Sequence, residues 1–289
     1  MIKEFIQELV QQISDRNDIV FLTGDVGYQS LDPIKQLLGS RFINAGVAEQ
    51  NMINVAAGMA NEGFKVYVYS IAPFLLYRAY EQIKLNVASR NLDVNLVANG
   101  GGYGYGIMGP SHHLLNDLAL IGGLDNIKGY IPACQSDVKR IVLESLNKGP
   151  KYFRLGLNHN QIEKKIDNGF GIVNIREEAE TTVVSLGPIA QEFVGIHKYF
   201  DHFSCFEFPF TKIPSAIEES VKKTKRLLVA EEHTQSGGVG EKIVAMLHEK
   251  DIEFNFYHRF ANHYEGGYGD QNFHRKQNGL DKESLAKIV

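Results

Sequence analysis

With 289 residues, 44% of them hydrophobic and 22% charged, the chain can bury a sizeable core and has room for two domains. Thirty basic against 34 acidic residues leave a net charge of -4, and the densest basic cluster, Lys222 to Arg226, reads as a solvated helix end, so a nucleic-acid partner is not expected. Two distant cysteines, Cys134 and Cys205, argue against a disulfide or zinc framework, and no apolar run reaches the ~18 residues of a membrane span.

The amphipathic start, Met1 to Ile6, carries an early acid and is unlike a signal peptide; a reducing cytoplasm is the expected location. Ile19–Leu22 reads as a buried strand ending at Thr23-Gly24-Asp25, followed by strands at Phe64–Tyr69, Val94–Ala98 and Ile127–Ile131. Helical patterns lie between them, near 3–13, 47–61, 74–89, 111–121 and 136–147. This alternation predicts an α/β fold with a mostly parallel sheet covered on both faces. The polar stretch 158–180 reads as the crossing between domains. Alternation restarts with a strand at Thr182–Gly187, a helix from about Ala190, a strand at Cys205–Phe208 and a helix near 214–224. A strand at Arg226–Ala230 and a helix after Gly238-Val239-Gly240-Glu241 follow. The predicted division is therefore 1–160, a linker at 161–180, and 181–289. The tail from Ala261 to Asn278, rich in Gly, Asn, His and Tyr, reads as a surface loop before a short last helix. Within it Gly269-Asp270-Gln271-Asn272 is similar to a fragment of a diphosphate-binding motif, lacks the Asn such motifs carry further on, and reads as a turn.

Four segments bear on chemistry. In Asn44 to Ala60, Glu49, Gln50, Asn51 and Asn54 open a helix otherwise built of small and apolar residues. A helix poor in long charged side chains is a buried one, often against another chain, and a carboxylate at its start also complements the helix dipole. In Tyr69 to Ile83, Ile71, Phe74 and Tyr77 are spaced by three and can share one helical face, which by itself is also ordinary core packing. In Asn99 to His113, Gly104, Gly106 and Gly109 spell Gly-x-Gly-x-x-Gly after a strand; a dinucleotide site would need an acid at the end of the next strand, and Asp125 lies before that strand. The fourth, Val229 to Gly240, carries Glu231-Glu232-His233 and a Gly-rich turn into a helix.

Together these segments resemble the pyrimidine-binding and carboxy-terminal domains of transketolases, whose signatures are related to those of deoxyxylulose-phosphate synthase and the beta subunits of 2-oxo acid dehydrogenases. The resemblance covers nearly the whole chain. It implies the thiamine-diphosphate-binding fold, two largely parallel sheets sandwiched by helices with the second one mixed. It implies cofactor contacts from Asp25, Glu49, Ile71, Phe74 and Tyr77, with Phe74 stacked on the aminopyrimidine ring. Glu49 would share a proton with the pyrimidine nitrogen, so that the cofactor's own amino group serves as base. His112, in the counterpart of the family's Gly-Pro-Thr-His, would bind and protonate at the substrate; His113 has no role beyond packing or facing water. The fourth segment has no catalytic role in the family and reads as structural or interfacial.

The metal–diphosphate motif of full-length transketolases is absent from the sequence. The resemblance is therefore to the carboxy-terminal subunit of a split enzyme, with magnesium ligands on an amino-terminal partner subunit and an α2β2 heterotetramer as the expected assembly. Three positions depart from the sugar-phosphate enzymes: Met108 replaces the acid that reads the donor hydroxyl, Leu157 an Arg, and Gly100 a phosphate-binding His. Each lost charge-assisted contact is worth roughly 1.5–3 kcal/mol when desolvated, so ordinary pentose phosphates are expected to fit poorly. The expected activity is transfer of a two-carbon ketol unit between sugars; a thiamine-dependent 2-oxo acid decarboxylase or acyl-transfer subunit and a non-catalytic assembly subunit are the other readings.

Overall fold

The computed structural model describes residues 1–156, 161–262 and 267–289. The first sheet takes its strands from β1 (Ile19–Thr23), β2 (Phe42–Asn44), β3 (Lys65–Ile71), β4 (Val94–Asn99), β5 (Lys128–Tyr130) and β6 (Lys151–Leu155). β1, β4 and β6 are buried along their whole length, as strands covered on both faces must be. Helices Ile2–Ile13, Asp32–Leu38 and Val138–Ser145 cover one face through Phe5, Leu9, Ile34 and Ile141. Helices Glu49–Asn61 and Ala72–Arg78 cover the other through Met52, Ile53, Leu75 and Leu76.

The second domain contributes β7 (Lys165–Asp167), β8 (Phe170–Asn174), β9 (Thr181–Leu186), β10 (Phe200–Cys205), β11 (Glu207–Phe208), β12 (Arg226–Glu231) and β13 (Asn255–Phe260). Its sheet has the order β13-β12-β9-β10-β8-β7; β8 runs antiparallel to both its neighbours, β10 and β7, and the other pairs are parallel. The expectation of a mixed second sheet holds. The stretch read as a plain crossing, 158–180, instead contains the β7–β8 hairpin, whose turn places Asn168 at φ 44 and Gly169 at φ 79. β11 leaves its own domain altogether and pairs antiparallel with β5, giving the first sheet the order β11-β5-β6-β4-β3-β1-β2.

The tail also differs from its expectation. Helix Gln271–Gln277 buries His274 against Tyr103 and His113 of the first domain and Arg275 against Glu192 and Glu232 of the second, so it is not a surface loop. Asp270 caps it by accepting from the Phe273 N–H, so Gly269-Asp270-Gln271-Asn272, read as a turn, is instead the start of a helix. Both cysteines are buried and free, and among the described residues no helix is long and apolar enough to cross a membrane.

Candidate active site

β1 connects outward to β2, while β3 pairs on the other side of β1. The strand order therefore reverses between β1 and β3, the place where open parallel sheets bind ligands at their carboxyl ends. The sequence-predicted residues gather along that edge. Asp25 follows β1, Glu49 follows β2, Ile71 ends β3, and the glycine loop leading to His112 follows β4.

Glu49 is the first residue of its helix and only 4% exposed. The positive helix end stabilises its carboxylate. Its Oε1 accepts from Arg78 Nη1 at 2.8 Å. The same guanidinium lies 3.9 Å from the centre of the Phe74 ring, a stacking arrangement favoured by the ring quadrupole. Ile71 and Phe74 are half-buried and Tyr77 is exposed, while Ala72, Pro73, Leu75 and Leu76 are buried, so the three share the less buried face of helix Ala72–Arg78. Tyr77 donates its hydroxyl hydrogen to Asn116.

His112 closes the site on the substrate side. Its ring meets Phe74 edge-on at 4.9 Å and is hydrogen-bonded through Nδ1 to the Ser111 hydroxyl at 2.9 Å. Partial burial and the Arg78 charge hold its pKa below 6.5, so the imidazole is neutral at neutral pH. Met108 lies on the same loop, half exposed. Gly100, at φ 80, faces the Tyr105 ring so closely that a Cβ there would overlap it. Tyr105 fills that space and accepts from Asn99 Nδ2 at 2.6 Å. A histidine at position 100 has no room here. Leu157 lies outside the described residues.

Asp25 stands somewhat apart. It is exposed, has φ 60, accepts from Asn44 Nδ2 at 2.9 Å, and borders a cavity of about 210 Å3 with Thr23, Tyr28 and Phe42. Arg78 thus links Glu49 to Phe74, whose ring meets His112, while Asp25 follows β1, between the strands that lead to Glu49 and Phe74. His113 packs: it is fully buried between Tyr103 and His274. In the fourth segment the Glu231 carboxylate accepts from the Val239 and Gly240 N–H groups and caps the following helix.

Sequence reasoning missed Arg78, Tyr105 and Glu232. Arg78 had a signal, since it sits four residues after Phe74 on one helix and can reach back over the ring. Glu232 had none. It is buried and binds Arg275, Gln271 Nε2 and the Tyr103 N–H, partners up to 129 residues away. Burial pushes its pKa up, but Arg275 and the hydrogen bonds outweigh burial and leave it below its ordinary 4.5.

These residues suit an aminopyrimidine cofactor. The Arg78 guanidinium, a flat nitrogen-bearing cation, already stacks on Phe74 and donates to Glu49, the two contacts such a ring would make. Among the described residues no cluster of His, Cys, Asp and Glu is suited to hold a metal.

Residues 1–159 match the transketolase pyrimidine-binding domain and residues 207–283 the transketolase C-terminal domain. The chain is 26% identical, over 98% of its length and 95% of the relative's, to a subunit of the apulose-4-phosphate transketolase of Actinobacillus succinogenes. It is likewise 26% identical to the subunit of the same name in Phocaeicola vulgatus, covering 99% of this chain and 95% of that one. Among solved structures, a split-gene transketolase described as an inactive beta4 tetramer superposes with a TM-score of 0.83 at 23% identity, over 99% of this chain and 95% of that one. The transketolase of Campylobacter jejuni superposes with a TM-score of 0.73 at 16% identity, over 99% of this chain and 46% of that one. With more than half its length matched by the pyrimidine-binding domain and the remainder carrying the C-terminal one, the chain belongs to the transketolase family.

Proposed function

We propose that this chain is the carboxy-terminal subunit of a two-chain, thiamine-diphosphate-dependent transketolase of the cytoplasm. It moves a two-carbon ketol unit from a ketose donor to an aldehyde or keto sugar. The observation that carries the reading is the convergence of Glu49, Phe74 and His112 at the reversal of strand order. The relatives named as transketolase subunits support a second chain. In keeping with the family resemblance, the diphosphate and magnesium ligands belong to that chain. An α2β2 heterotetramer is the proposed assembly. The exposed stripe Asn51, Asn54 and Gly58 of helix Glu49–Asn61 offers a polar, low-relief surface for it.

Thiamine diphosphate, when bound, supplies a carbanion at its thiazolium carbon. Phe74, Ile71 and Tyr77 would hold the pyrimidine ring, with Asp25 at the margin of the site. Glu49 would give the ring nitrogen a proton-sharing partner through Oε2, while Oε1 stays on Arg78. Arg78 must leave the Phe74 face for the ring to stack, and its long exposed side chain can do so while keeping the carboxylate paired. His112, being neutral, can donate to the donor's carbonyl oxygen or accept from its hydroxyl. Met108 and Gly100 remove groups that would grip a phosphorylated pentose, which supports an unusual sugar as donor.

The test is calorimetry and turnover with the amino-terminal chain present and absent. The chain alone should bind thiamine diphosphate weakly with or without magnesium, and the mixture should bind tightly and consume a ketose. Tight, magnesium-dependent binding by the isolated chain would contradict the divided site. Carbon dioxide release from a 2-oxo acid, without ketol transfer, would replace the reaction.

A further inference from the structure

The segment Gly102–Leu114 carries Met108 and His112 and forms a loop. Its foot is closed by two backbone bonds between Gly102 and Leu114, at 2.9 and 3.1 Å. Arg154, buried and paired with Asp117, donates from Nη2 to the Glu232 carbonyl at 2.7 Å beside that foot. The top of the loop is held from elsewhere. Helix Gln271–Gln277 brings His274, 1% exposed, against it. Its ring stacks on Tyr103 at 4.7 Å with the planes 10° apart. Its Nε2 donates to the Gly106 carbonyl at 3.3 Å, and His113 Nε2 donates to the same oxygen at 3.4 Å. Glu232 accepts from the Tyr103 N–H at 3.2 Å and is itself fixed by Arg275 of the tail helix.

The glycines of this loop match that arrangement. A Cβ on Gly106 would stand 2.6 Å from His274 Cδ2 and 2.7 Å from the Gly269 carbonyl. One on Gly109, at φ 80, would strike the Tyr268 ring. Two of the three glycines that spell a nucleotide fingerprint, Gly106 and Gly109, match the tail lying directly on the loop. Close approach of another backbone or ring is a standard reason for glycine.

We infer that His274 is a positioning residue for the substrate half of the active site, clamping the Gly106 carbonyl so that His112 and Met108 are held at fixed height over Phe74. The carboxy-terminal domain thereby takes part in substrate handling although it supplies no group to the cofactor. The inference rests on the proposed function above. It separates the two ends of the site: the clamp governs His112, and Glu49 on its own helix is independent of it.

The test compares His274→Phe, which keeps the stack on Tyr103 and removes the donor, with His274→Asn, which restores a donor, and with Tyr268→Ala at an exposed position that cannot upset the core. Amide hydrogen exchange in the isolated full chain is read over Gly104 to His112. The assembled enzyme is then read for kcat/KM and for deuterium exchange at the thiazolium carbon. In His274→Phe the loop amides should exchange about tenfold faster, the loss of one hydrogen bond. kcat/KM should fall about tenfold or more, while thiazolium exchange stays within about twofold of the parent. Tyr268→Ala should show the same pattern in milder form, and His274→Asn should recover part of it. Unchanged loop exchange and unchanged kcat/KM in both His274→Phe and Tyr268→Ala would overturn the clamp. A parent enzyme that shows neither turnover nor thiazolium exchange would overturn the functional reading instead.

Discussion

Replacing Glu49 by glutamine should leave the fold nearly intact and slow activation of the cofactor by orders of magnitude. The pair that Glu49 makes with Arg78 costs little to lose. Arg78 is 43% exposed and water screens it, which limits the pair to about 1 kcal/mol or less and the shift in melting temperature to under about 4 °C. The chemical loss is larger, and the geometry says why. Arg78 has only hydrogens to offer, so the glutamine must turn its carbonyl oxygen toward Nη1. Its amide nitrogen then faces the pyrimidine, and an amide cannot take or share the proton there. Loss of a positioned acid–base group typically costs ~10²–10⁴-fold. The assay is deuterium exchange at the thiazolium carbon in the assembled enzyme, followed by quenched-flow sampling. If Glu49→Gln exchanges as fast as its parent, the carboxylate serves only the helix terminus and the proposed activation is wrong.

Phe74→Ala should raise the cofactor's Kd about two- to tenfold through loss of stacking, with thiazolium exchange at saturation unchanged; equilibrium dialysis checks it. Because burial and Arg78 lower the His112 pKa, the acidic limb of kcat/KM should lie below pH 6.5, and His112→Asn should abolish that limb. Glu232 titrates below its ordinary 4.5, so its contribution to stability is present in full above that value and is lost as pH falls through the lower folded pKa. Glu232→Gln should therefore destabilise the fold at pH 7, by less than the ~3–5 kcal/mol of an uncompensated buried charge because Arg275 keeps Glu192, and by progressively less as pH falls below 4.5; urea titrations at neutral and acid pH measure the difference. Light scattering of this chain mixed with its amino-terminal partner should give a species holding two copies of each, and no complex at micromolar concentrations would count against the divided enzyme.

The layered sheets and the Glu49 helix were legible because they rest on local pattern. Apolar runs such as Ile19–Leu22 announce buried strands, and the small-residue helix after Glu49 is written in composition. What escaped was set by distant pairing. β2 is three residues long and half exposed, too short for any period to show. The β7–β8 hairpin hides in polar residues because its strands form the outer side of the sheet, where alternation is weak. The tail looks like loop because His274, Arg275 and Gln271 are polar. Arg275 is buried because Glu232, 43 residues earlier, pairs with it, and His274 because Tyr103 stacks on it. Helix from Ala190 was expected, whereas Gly187–Phe193 forms a 3-10 turn begun by Gly187 and Pro188, which suit a tight start more than a long helix. At the site, the gathering of Glu49, Phe74 and His112 was readable from motif, and the hold of Arg78 on two of them was not.

The exchange of β11 between domains bears on how finely such an enzyme can be divided. Glu207 and Phe208 lie past the whole first domain in sequence, yet they complete its sheet, and Glu207 ties Lys128 to that seam. A gene cut near residue 180 would release an amino-terminal piece whose β5 presents bare N–H and C=O groups to any passing strand, a template for aggregation. The boundary that looks natural on the page is thus a poor place for scissors, and the two units should be inherited, synthesised and degraded as one.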